Sequence, residues 1–307
     1  MTAISVLMPT YNQLEYLTES VNSVLNQTFS DFEFIIIDDC STDKTIEYLE
    51  RCAKLDKRIR VLSNNINLGV SNSLNLGLSI ATGKYIARMD ADDISFINRF
   101  EYQINYLNTH PGCGVLGTET CFINLDGSKS DQPAWIKPIE HNVIVWNLLY
   151  STPLCHPTTM IRHDILKNIG GYTTTHPNED MDLWTRLAFH TSFNNLENTL
   201  LYYRMPHDVH RKKLEAWIPH IQNVSHSYVE RILEKNVDFK LIQLIIDTNF
   251  GLSAKRSYEA KDLFQASLLL EEVYEKMKLI GMLEKKNLSQ VEKILYKQTQ
   301  LIVSLMS

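Results

Sequence analysis

This chain of 307 residues has little cysteine, no excess of positive charge and no long apolar run. Its five cysteines, Cys40, Cys52, Cys113, Cys121 and Cys155, are odd in number and form no Cys-x-x-Cys pair. That excludes a disulfide framework and a structural zinc site, and predicts reduced, mostly packed thiols. Lys and Arg number 30 against 36 Asp and Glu, a formal net charge of −6. Such a balance gives no general surface for a phosphate backbone, so nucleic acid is not an expected partner, although Arg211-Lys212-Lys213 forms a local basic patch. No apolar stretch approaches the ~20 residues of a membrane-spanning helix, and Met1 to Pro9 has neither the basic flank nor the apolar core of a signal peptide. The expectation is a cytoplasmic protein. Internal repeats and low-complexity segments are absent too, and a hydrophobic fraction of 44% is that of an ordinary globular chain.

What is present is an alternation of strands and helices. Ile4 to Met8 reads as a strand stopped by Pro9, followed by Thr10-Tyr11-Asn12, with Asn12 as N-cap of a helix over Gln13–Asn26 whose Leu14, Leu17, Val21, Val24 and Leu25 share a face. Phe34 to Ile37 has no polar alternation, as in a strand covered on both faces, and ends at Asp38-Asp39. Ser41 or Thr42 is placed to cap the next helix, Ile59 to Leu62 is a third strand, and a third crossover runs from Asn64 to Ala81. Repeated strand–helix–strand units predict an α/β fold with a doubly wound, mostly parallel sheet, which binds ligands outside the carboxyl ends of its strands. Thr10 to Asn12, Asp38-Asp39 and Asp90 to Asp93 each follow a predicted strand, so they are expected to converge on one crevice.

Further along, the pattern predicts a helix at 98–108, a strand pair around Val115-Leu116 and Cys121–Ile123, a helix at 139–150, a helix from Glu179 and a late strand at Leu200–Tyr203. Beyond Arg211 the periodicity is helical, with long amphipathic segments near Ile232–Asp247, Ala260–Leu279 and Leu288–Leu305. The predicted organisation is a domain over residues 1–210 and a helical region over 211–307.

Asp90-Ala91-Asp92-Asp93 carries the densest chemistry. Carboxylates crowded at a strand end repel one another, and the guest that joins them is a hard divalent cation such as Mg²⁺ or Mn²⁺, which prefers oxygen ligands. The competing reading is a solvated acidic loop.

With these residues in order, the sequence resembles the family 2 glycosyltransferases of the GT-A fold over about residues 3–210. The resemblance rests on Met8-Pro9-Thr10-Tyr11-Asn12, Ile37 to Asp43, Asn67-Leu68-Gly69, Asn75-Leu76-Gly77, Gly83 to Ile86, Asp90 to Asp93, Gly170-Gly171-Tyr172 and Glu179 to Trp184. It implies transfer of a sugar from a nucleotide diphosphate donor, with UDP favoured, to a hydroxyl of a glycan or lipid-linked glycan, with inversion at the anomeric carbon. Within 1–210, about 1–95 would be the nucleotide-sugar half and about 96–210 the acceptor half.

Asp180, beside Glu179, matches the family's catalytic carboxylate. Pro9, Thr10, Tyr11, Asp38, Asp39, Asp90 and Ala91 match nucleotide-binding positions, with Asp38 or Asp39 accepting the imide N–H of uracil and Tyr11 stacking on the base. Asp92 and Asp90 match metal ligands for Mn²⁺ or Mg²⁺. In many members of the family a His in a Tyr-Arg-x-His segment ligates the metal or touches the diphosphate. Here Tyr203-Arg204-Met205-Pro206-His207 places it one residue late, so His207 is the first candidate and His210 the second. Cys40 stands where the family often has Gly.

Several residues have a plainer alternative. Arg88 can meet a diphosphate or simply balance the neighbouring Asp residues, and Asp43 and Asp182 read as structural. His156 and Trp184 are acceptor-site candidates, against a hydrogen-bonded loop His and a packed helix Trp. Trp135, Trp146 and Trp217 read as core or interface. The stripe Leu288, Val291, Ile294, Leu295, Leu301, Ile302 and Leu305 reads as packing, a dimer seam or a peripheral contact with the inner face of a membrane. A nucleotidyltransferase is the rival enzyme, but Thr10 to Tyr16 holds no Gly, Lys or Arg for a phosphate loop. A glycoside hydrolase would not explain three polar strand ends. A non-catalytic nucleotide-sugar binding protein of the same fold is the rival from another class.

Overall fold

The structure, a computed structural model, describes residues 2–132, 136–174, 178–205, 209–252 and 258–305, apart from the side chains of 209–215. Trp135, His207 and the side chains of His210 and Arg211 to Lys213 lie outside the described residues. In chain order the strands are β1 (Ile4–Thr10), β2 (Phe32–Asp38), β3 (Ile59–Ser63), β4 (Tyr85–Arg88), β5 (Ile94–Ser95), β6 (Cys113–Ile123), β7 (Met160–Arg162) and β8 (Ser192–Arg204). The helices are α1 (Leu14–Leu25), α2 (Thr45–Leu55), α3 (Val70–Ile80), α4 (Arg99–Thr109), α5 (His141–Asn147), α6 (His163–Asn168), α7 (Glu179–Leu187), α8 (Val209–Leu233), α9 (Phe239–Asn249), α10 (Ala260–Leu279) and α11 (Leu288–Ser304).

The chain divides into two compact units. The first comprises Met1–Ile139, Leu154–Thr175 and His190–Val209; the second comprises Glu140–Pro153, His176–Phe189 and His210–Ser307. All eight strands form one sheet in the first unit, in the order β3-β2-β1-β4-β7-β6-β8-β5. The pairs β1/β2, β1/β4, β2/β3 and β6/β8 are parallel, while β4/β7, β6/β7 and β5/β8 are antiparallel. The expected parallel-dominated α/β sheet is therefore present.

Both faces of the sheet's centre are covered, which is why Phe34 to Ile37 of β2 is apolar without alternation. On one face Ile4, Val6, Met8, Phe34 and Ile36 pack with Leu17, Val21 and Val24 of α1. On the other, Gly77 of α3 sits so close that a Cβ there would lie 2.8 Å from Ile37 Cδ1. Each large aliphatic side chain buried this way contributes about 1.5–3 kcal/mol.

Some local expectations give way to contacts the sequence does not display. β1 runs through Pro9 because there it pairs with β2 alone, so the missing N–H breaks no second ladder. The two short strands expected around Val115 and Cys121 are one strand, β6, which pairs with β8 across three register irregularities. Asn12 does not cap α1. It adopts a positive φ of 53° and its Oδ1 accepts from Thr42 N at 2.8 Å. Neither Ser41 nor Thr42 caps α2, since Ser41 Oγ accepts from Asn12 N and the first turn of α2 is met by Asp43, which accepts from Thr45 N at 2.9 Å. The polar side chains of two loops bond each other instead of their own helices.

The second unit is helical among its described residues. Segments 140–153 and 178–189, which the sequence reading leaves within 1–210, group with the C-terminal helices, the first through polar bonds and the second through Phe189, whose ring meets Tyr228 and Arg231. Trp146 Nε1 donates to Gln298 Oε1 at 3.1 Å, and Asn142 Nδ2 donates to the carbonyls of Glu284 and Lys286. In α11, Val291 and Ile302 are buried, while Leu301 and Leu305 are exposed and Gln298 takes an inward place. Trp146 is fully buried and Trp217 is 47% exposed. No helix of the described residues is long and apolar enough to cross a membrane.

Cys40 has a φ of 63°, a region that penalises L-residues by roughly 1–2 kcal/mol and leaves Gly unpenalised. Its Sγ gains only a 3.6 Å contact with the Asn65 carbonyl. The greater freedom of Gly in the unfolded chain offsets roughly 0.5–1 kcal/mol. Cys40→Gly is therefore expected to stabilise the protein by about 0.5–1 kcal/mol in denaturant titration, and a loss of stability would refute the strain argument.

Candidate functional site

A cavity of about 370 Å³ opens at the carboxyl ends of β1, β2 and β4. Pro9, Thr10 and Tyr11 line it from β1, Asp39 from β2, and Asp90 to Asp93 from beyond β4. Val70 and Ser73 in the first turn of α3 complete one side, and Tyr203 with Arg204, at the end of β8, another.

The loops are fixed by reciprocal bonds. Asp39 N donates to the Thr10 carbonyl at 2.8 Å. The Asp39 carboxylate accepts from Leu68 N and Asn64 Nδ2 through Oδ1 and from Gly69 N through Oδ2. Asn67-Leu68-Gly69 is thus the counterpart of Asp39, and Gly69, at φ 81°, turns the chain so that both amides reach it. This carboxylate also faces the positive end of α3, where negative charge is favoured. Asp38 lies behind. Its Oδ2 accepts from Ser41 N at 3.2 Å, while Oδ1, like Thr10 Oγ1, is buried without a hydrogen-bond partner among the described residues.

The acidic loop is gripped chiefly by its backbone. Ser20 Oγ donates to the Asp90 carbonyl at 2.9 Å, and Arg204 Nε donates to the Asp92 carbonyl at 2.7 Å. Just beyond the loop, the buried Gln27 amide donates to the Phe96 carbonyl and Ser95 Oγ. One carboxylate oxygen from each of Asp90, Asp92 and Asp93 lies within 4.8 Å of the others. Arg88 forms an ion pair with Asp90, which is the charge-balancing reading of that residue. Asp93 Oδ1 accepts from Arg204 N at 2.9 Å, and its Oδ2 is a buried acceptor without a hydrogen-bond partner among the described residues. Burial first, then the charge of Asp90, pushes the Asp92 carboxyl up to about 6. Burial, with Asp90 and Asp92, raises Asp93 well above the ordinary carboxylate range. Three hard oxygen donors in this state fit a divalent cation.

Of the predicted residues, the cavity gathers Pro9, Thr10, Tyr11, Asp39, Asp90, Ala91 and Asp92. Glu179 and Asp180 stand in the first turn of α7, in the second unit. There Asp180 Oδ1 accepts from Met181 N at 2.7 Å and Oδ2 accepts from Thr152 Oγ1 at 3.4 Å. Trp184 is fully buried, so its ring has no open face for a sugar and the packing alternative describes its position. His156 is also buried, with its Nε2 3.1 Å from the Tyr172 hydroxyl, and does not reach the surface as an acceptor-site residue would. Tyr172 is in turn clamped by Asn75, whose amide accepts from Tyr172 N and donates to Tyr172 O. The Asn75 and Gly170-Gly171-Tyr172 motifs are therefore two halves of one contact. Asp182 pairs with Arg186 at 2.9 Å.

Gln13, Val70, Ser73, Tyr203 and Arg204 also line the cavity without being expected there, and Asp93, expected within the acidic cluster but not among the matched metal ligands, joins Asp90 and Asp92. Tyr203 and Arg204 open the Tyr203-Arg204-Met205-Pro206-His207 segment, which is the one signal in the sequence that points to them.

This fold is of the GT-A glycosyltransferase type. A structure of S. aureus TarS 1-349 in complex with UDP-GlcNAc aligns with a TM-score of 0.63 at 20% identity, covering 99% of this chain and 89% of that one. The family model described as Glycosyl transferase family 2 matches residues 5–170. An uncharacterized glycosyltransferase of Haemophilus influenzae is 32% identical over 252 residues, covering 80% of this chain and 76% of the relative. The O-antigen biosynthesis glycosyltransferase WbnJ of Escherichia coli is 32% identical over 220 residues, or 70% and 84% of the two chains. The chain belongs to glycosyl transferase family 2 and is a glycosyltransferase.

Because Asp92 binds its proton more tightly in the folded chain than in the unfolded one, its contribution to stability is full below about pH 4 and is lost as pH rises through about 6. Burial lowers the His141 pKa, which acts in the opposite direction over a neighbouring range, so the informative quantity is a difference between variants. Without divalent cations, Asp92→Asn is expected to raise the thermal midpoint relative to wild type at pH 7.5 and to give no such gain at pH 4.5. An equal effect at both pH values would contradict the raised pKa.

Proposed function

We propose that this chain is a metal-dependent, inverting glycosyltransferase of the hexosyl type. It takes a UDP-sugar and glycosylates a hydroxyl of a glycan or lipid-linked glycan. The observation that carries the reading is the acidic triad on a cavity that also presents Tyr11 and Asp39. Residues 1–95 would hold the nucleotide-sugar and 96–210 the acceptor, on the strength of the motif resemblance.

Tyr11 is 44% exposed at the cavity, which leaves its ring available to a base. Asp39 supports uracil over guanine by counting. A carboxylate has about four acceptor positions, and Asn64, Leu68 and Gly69 use three of those on Asp39. One position matches the single imide N–H of uracil, whereas guanine offers two adjacent donors. TarS, a protein of the same fold, is described in complex with UDP-GlcNAc. The O-antigen role in the name of WbnJ supports a glycan acceptor.

Asp90, Asp92 and Asp93 would hold Mn²⁺ or Mg²⁺, which supplies Lewis-acid stabilisation of the charge on a departing nucleoside diphosphate. Asp180 is the proposed base, by its match to the family motif. As the acceptor oxygen bonds to the anomeric carbon, Asp180 takes the hydroxyl proton, the bond to the diphosphate breaks, and the configuration inverts. Glu179 and Asp182 share the first helical turn with Asp180.

The test is the thermal midpoint with UDP, GDP, CDP and TDP, each with and without Mn²⁺. Ligand at ~100 times its Kd stabilises by ~2.7 kcal/mol, a shift of a few degrees for a chain of this size. UDP with Mn²⁺ is expected to give the largest rise, and no rise with any nucleotide would sink the reading. Asp180→Asn is expected to lower transfer by at least ~10²- to 10⁴-fold while the UDP shift persists. Undiminished transfer would remove Asp180 from its role.

A further inference from the structure

Arg204 is 5% exposed, and its guanidinium is spent almost wholly on neighbours that are not the triad carboxylates. Nε donates to the Asp92 carbonyl at 2.7 Å. Nη1 donates to the carbonyls of Asn124 and Leu125 at 3.2 and 2.8 Å. Nη2 donates to Glu19 Oε2 at 2.7 Å, and the plane lies 4.6 Å from the centroid of the Tyr16 ring. The same residue's backbone N–H holds Asp93 Oδ1. One side chain thus ties the acidic loop to α1 and to the turn after β6; its ion pair is with Glu19, and its charge reaches the Asp92 carboxyl only through space, as a weaker influence than that of Arg88.

We propose that Arg204 is a positioning residue: it fixes the backbone of Asp92 and Asp93 so that their carboxylates converge as one cation site, acting through geometry and not as a counter-ion. The inference rests on the metal reading above. A guanidinium has five N–H donors in a rigid fork, and four of them are used here in three directions; a lysine ammonium at the end of a flexible stem carries the charge without the fork. Residues that orient ligands from behind typically change metal affinity about 10- to 100-fold when altered.

The experiment measures Mn²⁺ affinity without nucleotide, by calorimetry and by the electron paramagnetic resonance signal of free Mn²⁺, for wild type, Arg204→Lys and Arg204→Met. Circular dichroism reports whether each is folded. Both variants are expected to bind Mn²⁺ about tenfold or more weakly than wild type, with the Lys variant no better than the Met one. Wild-type affinity in Arg204→Lys would show that charge alone suffices and overturn the inference, as would wild-type affinity in both.

Should the Arg204 variants fail to fold, Glu19→Gln combined with Tyr16→Leu frees the guanidinium from its outer side. A severalfold loss of Mn²⁺ affinity supports the inference, and unchanged affinity overturns it. Failure of wild type to bind either Mn²⁺ or UDP would defeat the functional reading and the inference together, which is distinct from failure of the Arg204 comparison alone.

Discussion

Three carboxylates within 4.8 Å of one another set the terms for the rest of the first unit. Mutual repulsion would open such a loop, and the carboxylates themselves are offset, among the described residues, by the Arg88 ion pair with Asp90 and the Arg204 N–H on Asp93. Two grips on the backbone hold the loop, from Ser20 on α1 and from Arg204 on β8, and Gln27 fixes the chain where it leaves towards α4. Each grip needs its parent element seated on the sheet. The apolar burial of Leu17, Val21 and Val24 against β1 and β2 is therefore a condition of the site as well as of the fold. The raised pKa values of Asp92 and Asp93 follow first from their burial and then from the charges of the neighbouring acids.

A second constraint is that strand-end loops must hold each other, because a cavity at a sheet edge leaves them without a helix to lean on. Asn12 with Ser41 and Thr42, Asp39 with Leu68 and Gly69, and Asn75 with Tyr172 are all side-chain to backbone bonds between loops or elements distant in sequence. Each satisfies amides that would otherwise be unpaired near the cavity. Asp39 does this while still lining the cavity, so one carboxylate both shapes the pocket and faces its contents.

The difference between what the sequence displays and what it hides follows from the range of the interactions. Apolar runs such as Phe34 to Ile37, and the polar residues that end them, are local signals, and they located the sheet and its functional edge. Asp90 to Asp93 was legible for the same reason, being four consecutive residues. Asn12, Ser41 and Thr42 misled because a short polar side chain before a helix has two uses, and the one chosen depends on a loop 30 residues away. β6 was read as two strands because Gly117 to Thr120 lacks an apolar pattern, although Thr118 and Thr120 are buried against β8. Arg204 was passed over because its partners lie 79 to 185 positions away, and no local feature of Tyr203-Arg204 announces them. The grouping of 140–153 and 178–189 with the C-terminal helices rests likewise on pairs such as Trp146 with Gln298 and Phe189 with Tyr228.

Charge balance within the triad bears on the valence of the cation proposed for it. Above their pKa values the three acids carry three negative charges. Arg88, buried and ion-paired with Asp90, cancels one. Arg204 forms no ion pair with the triad, since its guanidinium faces the carboxylate of Glu19 and meets the loop through carbonyl oxygens, and its charge acts on Asp92 only through space. Arg99, fully buried nearby, donates to the carbonyls of Arg88 and Thr159, and burial lowers its pKa to about 9, so it remains charged at neutral pH without contacting the triad. Two negative charges are left on closely spaced oxygens, one of them the unsatisfied Asp93 Oδ2. A monovalent cation would leave half of that charge, and an ammonium group would need room for a side chain. A small divalent ion removes all of it with the donor type it prefers.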